Sequence, residues 1–113
     1  MNPLVLILSS GGLIFLLAGY IQHRFPPKKI NHLYGYRTSS SMKSQESWDF
    51  AQRYSAKKMM AMGTYIVTLG LLFWIIDLQL LWSVGISLTI VTIAPLLMLL
   101  KVESELKKRF PKK

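Results

Sequence analysis

Apolar and polar positions fall in long blocks along this chain, without the short alternation of a strand or the one-sided stripe of a soluble helix. Residues 3–22 (PLVLILSSGGLIFLLAGYIQ), 59–76 (MMAMGTYIVTLGLLFWII) and 80–100 (LLWSVGISLTIVTIAPLLMLL) carry no charged side chain. A helix rises 1.5 Å per residue, so about 20 apolar residues cross a hydrocarbon core of about 30 Å. The first and third runs meet that length, and the second reaches it by extending into the polar segment before it. Pro3 suits a first helical turn, and Pro95 predicts a kink in the third helix. The pattern predicts an all-α integral membrane protein of one domain, residues 1–113, with three transmembrane helices. No basic stretch precedes residue 3 and no small-residue cleavage pattern follows residue 22, so the first run reads as a retained span.

Charge sets the orientation. The chain has 113 residues and a net charge of +9, from 14 Lys and Arg against 5 Asp and Glu. Eight of the basic residues lie between His23 and Lys58 and six follow Leu100, whereas Asp77-Leu78-Gln79, the break between the second and third runs, carries none. So short a connection makes the two helices antiparallel. The excess of positive charge places the 23–58 segment and the 101–113 tail in the cytoplasm, with the N-terminus and Asp77 outside. Trp74 and Trp82 then sit near the outer interface and Tyr20 near the inner one. The basic blocks flank spans, where topology and anionic headgroups account for them, so no nucleic-acid partner is expected. With no cysteine, disulfide and thiolate chemistry are excluded. No span has Asp, Glu, Lys, Arg or His at its centre, which argues against an ion-coupled pump or a small multidrug transporter. Gly12 and Gly19, like Gly63 and Gly70, lie two turns apart on one helix face. They suit close packing of the first two spans, or the seam of a homo-oligomer.

The 23–58 segment holds the candidate chemistry. Pro26-Pro27 stops the first helix, and Lys28 and Lys29 are placed at the phospholipid surface. Asn31-His32-Leu33-Tyr34-Gly35-Tyr36-Arg37-Thr38 mixes apolar, aromatic and basic groups around one glycine, which permits a tight turn. Ser44 can cap a helix with Glu46 in its first turn, and Asp49 and Arg53 form a supportive i, i+4 pair. That cytoplasmic helix is amphipathic and leads into the second span, with Trp48, Ala51, Ser55 and Met59 on one side and Phe50 and Tyr54 beside them. Arg37 offers a planar fork for a phosphate, a carboxylate or helix carbonyls, and Trp48 can anchor among headgroups. Equally, Asn31, Arg37, Thr38 and Trp48 could simply lock the loop onto the spans. His23 and His32 have no neighbouring Cys, Asp or Glu to complete a metal site. Ser39, Ser40 and Ser41 lack a histidine base, so neither an enzyme nor a cofactor is expected.

The run from Asn31 to Gln52 resembles the signature of the SdpI-type immunity family of bacterial multi-span membrane proteins. That pattern reads roughly N-x-x-Y/F-G-Y/I-R-T-x-x-S-x-x-S-x-x-x-W-x-x-A-N/Q, met here at Asn31, Gly35, Arg37, Thr38, Ser41, Ser44, Trp48 and Ala51. One span before the motif and two after it also agree. The resemblance implies self-protection against a secreted, membrane-active peptide toxin and, in the best-known members, a link to a cytoplasmic repressor. Longer members carry additional N-terminal spans. The recognition residues expected on this basis are Asn31, Tyr34, Gly35, Tyr36, Arg37, Thr38, Ser41, Ser44 and Trp48. The expected partners are anionic headgroups and a peptide toxin or cytoplasmic regulatory protein. A holin-like pore former, or a small membrane protein with a signalling role, fits the size and span number as an alternative; a pore former has no need of the patterned loop.

Overall fold

The computed structural model of the chain describes residues 3–76 and 79–110; Asp77 and Leu78, on which the outer turn was placed, lie outside the described residues. Three helices carry the fold: α1 Pro3–Arg24, α2 Gln45–Leu72 and α3 Leu80–Arg109. All three are long and apolar enough to cross a membrane, and the described residues contain no strand. Each boundary has a local cause. Pro3 opens α1, and Phe25 N–H donates to the Ile21 carbonyl as its last bond before Pro26 and Pro27. The side chain of Ser44 accepts from Ser47 N–H (3.1 Å) and that of Ser47 accepts from Ser44 N–H (3.0 Å), a reciprocal cap that starts α2 with Glu46 in its first turn. At its far end α2 tightens into a 3₁₀ turn, Phe73–Ile75. The third helix runs on through Pro95, which has no N–H to give the Val91 carbonyl.

Helix lengths differ from the apolar runs in a way that shapes the molecule. The 22 residues of α1 rise about 33 Å, against about 42 Å for the 28 of α2 and about 45 Å for the 30 of α3. The second helix begins 14 residues ahead of Met59, and the third continues nine residues past Leu100. The segment expected as a basic tail is thus largely the last turns of α3, with Lys107, Lys108 and Arg109 against its negative C-terminal end.

The pairing of α1 with α2 depends on the glycines. A Cβ on Gly12 would lie 2.8 Å from the Gly63 carbonyl oxygen, and one on Gly63 would lie 2.6 Å from the backbone of Gly12 and Leu16. Gly19 faces Met60 and Ala56, and Gly70 faces Leu8 and Ser9. All four therefore form an intramolecular seam, the close backbone approach that small residues allow in lipid. Two apolar clusters result. Leu4, Leu8 and Ile66 gather Phe73, Ile86 and Ile90 at the end holding the short connection. Tyr36, Ala51, Val102 and Leu106 gather Phe50, Tyr54 and Phe110 at the end holding the long loop.

Candidate functional site

The loop from Phe25 to Ser44 folds as a cap over the end where α2 and α3 outreach α1. Asn31 begins it. Its Oδ1 accepts from the N–H groups of Leu33 (2.9 Å) and Tyr34 (2.8 Å), closing an Asx-type turn. Tyr34 reaches back to the end of α1, donating its hydroxyl to the Phe25 carbonyl at 2.6 Å. Gly35 sits at φ +100, the one positive φ in the described backbone. A Cβ there would strike Gln52 and come within 2.6 Å of the Pro27 ring, so both conformation and space require glycine.

Past that turn the chain is held by side chains from the helices. The Gln52 amide accepts from Tyr36 N–H (2.7 Å) and donates to the Tyr36 carbonyl (2.8 Å), matching the loop backbone as a strand neighbour would. Trp48 is fully buried and donates its indole N–H to the Pro27 carbonyl at 2.7 Å. It is packed beneath the cap, so the expected headgroup anchor is corrected to an internal strut. Gln22, near the end of α1, donates to Ser55 Oγ (2.7 Å) and the Gln52 carbonyl (3.0 Å), tying α1 to the same level of α2. Thr38 and Ser41 bond one another's backbone: Thr38 N–H donates to Ser41 Oγ at 2.8 Å, and Ser41 N–H donates to Thr38 Oγ1 at 3.2 Å. Ser47 Oγ then donates to the Ser41 carbonyl.

The third helix joins through Glu103, one turn past the last residue of the apolar run. Its carboxylate accepts from the Tyr36 hydroxyl (2.6 Å) and the Thr38 hydroxyl (2.7 Å). Burial alone would raise this carboxyl, but the hydroxyls of Tyr36, Thr38 and Ser40, with Lys107 nearby, outweigh it and hold Glu103 below the usual carboxylate range. Burial, then the adjacent carboxylate, pushes the Tyr36 phenol well above its ordinary value. The pair is a neutral phenol donating to a carboxylate, a charge-assisted bond in a partly buried place. Beside it, Lys43 Nζ donates to the Phe110 carbonyl at 2.6 Å, so the cap also grips the end of α3.

The motif residues thus separate into two groups. Tyr34, Gly35, Tyr36, Thr38, Ser41, Ser44 and Trp48 are engaged in bonds or close contacts within the cap, and Asn31 shapes its own turn. Arg37 stands apart: it is exposed, and its guanidinium donates to the His32 carbonyl, with the rest of its fork unpaired among the described residues. Sequence reasoning passed over Gln22, Gln52 and Glu103. Gln52 closes the motif, and Gln22 is the last residue of an uncharged run; each was a polar group at a span's edge, which is a legible signal. Glu103 gave only a weak one, as one of two acids in a basic segment.

The model of the SdpI/YfhL protein family matches residues 28–100. A relative from Bacillus subtilis (strain 168), described as "Uncharacterized protein YfhL", is 48% identical over 62 residues. That stretch is 55% of this chain and 56% of the relative, so the match spans a little over half of each. No solved structure matches significantly.

Proposed function

The chain belongs to the SdpI/YfhL protein family, and from that premise we propose that it protects a bacterial cell against a secreted, membrane-active peptide toxin. It is a multi-pass membrane protein by its three apolar helices and its family. In this reading the capped end faces the cytoplasm, because the Lys and Arg residues flank that end. The excess length of α2 then stands in the inner headgroup zone as the polar, amphipathic start of the second span.

The observation that carries the reading is the cap itself. The residues that match the family signature build a hydrogen-bonded plate joining all three helices, and Arg37 is an exposed signature cation with most of its donors unpaired among the described residues. A plate that fixes the spacing of three helices and displays one planar cation suits recognition of an acidic group on a toxin or regulatory protein. A lesion-forming protein has no use for such a device.

The test is expression of the full chain in a toxin-sensitive bacterium challenged with membrane-active peptides, scored by survival and retained membrane potential. Protection relative to an empty vector is expected. Absence of protection at verified membrane abundance refutes the proposal, and permeabilisation by the protein alone would establish the pore-forming alternative.

A further inference from the structure

Whereas α1 and α2 close on one another through glycine, α2 and α3 leave an open groove of about 450 Å³ between them. Its walls are apolar, with Ala61 and Leu69 on α2 facing Ile90 and Ala94 on α3, and Tyr65 at the rim. One end is different: Lys58 and Lys101 flank it, one from each helix. From Lys58 to Leu69, and from Lys101 to Ile90, each helix rises about 16 Å, close to the half-thickness of about 15 Å that one leaflet contributes. The cations therefore lie level with one another at the headgroup plane of a single leaflet, and the groove ends near the bilayer centre.

We propose that this groove is a binding site for one anionic phospholipid, its phosphate between Lys58 and Lys101 and an acyl chain along the α2–α3 groove. Charge and length both select that occupant. Neither lysine forms an ion pair among the described residues, where the one pair is Arg109 with Glu105. Lys58 is held at the mouth by its Nζ over the Tyr54 ring, 5.3 Å from the centroid. A free phosphate would leave the apolar walls uncovered, and a wholly apolar occupant would leave both lysines without a counter-charge. The site does not depend on the toxin reading, since it needs only insertion in a bilayer.

The full chain, purified in neutral detergent, is mixed with phosphatidylglycerol or phosphatidylcholine, and bound lipid is counted by native mass spectrometry. One phosphatidylglycerol is expected to be retained in preference to phosphatidylcholine. The double variant Lys58→Gln/Lys101→Gln should weaken it about 30-fold, the strength of two basic residues beside anionic headgroups. Ala61→Phe, which fills the groove from its open side, should reduce retention of both lipids with helicity by circular dichroism unchanged. The control Lys28→Gln/Lys29→Gln removes the same charge elsewhere and should retain the lipid. Equal loss in the two double variants, an unaffected Ala61→Phe, or displacement by an equal concentration of glycerol phosphate would each overturn the site.

Discussion

Replacing Gln52 with Met should open the cap while leaving the helices intact. Gln52 is 1% exposed and its amide satisfies both backbone groups of Tyr36. Met conserves most of the volume but offers neither bond. The Tyr36 carbonyl keeps a second donor, Ser41 Oγ at 3.2 Å, so its loss is partial. The Tyr36 N–H has no such reserve and is left buried, a penalty of about 1–3 kcal/mol. With about 1 kcal/mol for the weakened carbonyl, the expected cost is about 2–4 kcal/mol. This falls on a sub-global unit, since the cap can lift without unpacking the glycine seam of α1 and α2. Limited trypsin digestion reports on it directly, because Lys28, Lys29, Arg37 and Lys43 all lie in the loop. Cleavage there proceeds through the opened state, so the rate should rise on the order of 30- to 700-fold. Thr64→Ala, which removes a hydroxyl bonded only within its own exposed helical turn, is the matched control. A Gln52→Met protein cut at the wild-type rate, with unchanged helicity, would refute the claim that this amide holds the cap.

Gly35→Ala forces a Cβ into a left-handed conformation against Pro27 and Gln52, and should cost about 1–3 kcal/mol in thermal denaturation in detergent. Glu103 and Tyr36 together predict a plateau of cap stability. Glu103 is held below its unfolded value of 4.5, so its contribution is present above that pH and fades as pH falls through the folded value. Tyr36 is raised above 10.0 and must stay neutral, so stability also declines as pH climbs past about 10. Thermal stability in detergent measured against pH should show both edges, and Glu103→Gln should erase the acid one. Arg37→Lys keeps charge and loses the fork; protection from toxin should fall at normal membrane abundance, and full protection by this variant would remove Arg37 from any recognition role.

What the sequence disclosed and what it withheld divide by range of interaction. The three helices follow from the lengths of uncharged runs, which a bilayer reads directly. The starts and stops at Pro3, Pro26 and Ser44 follow from backbone chemistry over three or four residues. The glycine pairs announced close packing, and facing positions in the structure assign it to the α1–α2 seam. The continuation of α3 past Leu100 was not legible, because Lys101–Arg109 reads as a solvated basic segment unless one knows that Val102 and Leu106 meet Tyr36 and Ala51. Similarly, the bond from Thr38 to Glu103 spans 65 positions, and no periodicity carries information over that distance.

The structure also explains why the signature has its spacing. Ser44, Trp48 and Gln52 are each four apart and stack along one face of α2, where successive side chains one turn apart lie above one another. Ser44 fixes where the helix begins, Trp48 meets the Pro27 carbonyl, and Gln52 meets the Tyr36 backbone. A one-residue insertion between Ser44 and Trp48 would turn that face by about 100°, taking both struts out of reach together. Upstream, the three-residue steps from Thr38 to Ser41 and from Ser44 to Ser47 match the reach of a hydroxyl to backbone three positions away, and Ser47 Oγ links the two by donating to the Ser41 carbonyl. A chain that needed only a basic loop for topology would keep its lysines and lose this register. Arg37 is the signature position whose polar head makes one hydrogen bond among the described residues, and the fold does not by itself require a planar cation there. The side chain that the packing does not explain is the one on which a recognition function should be tested.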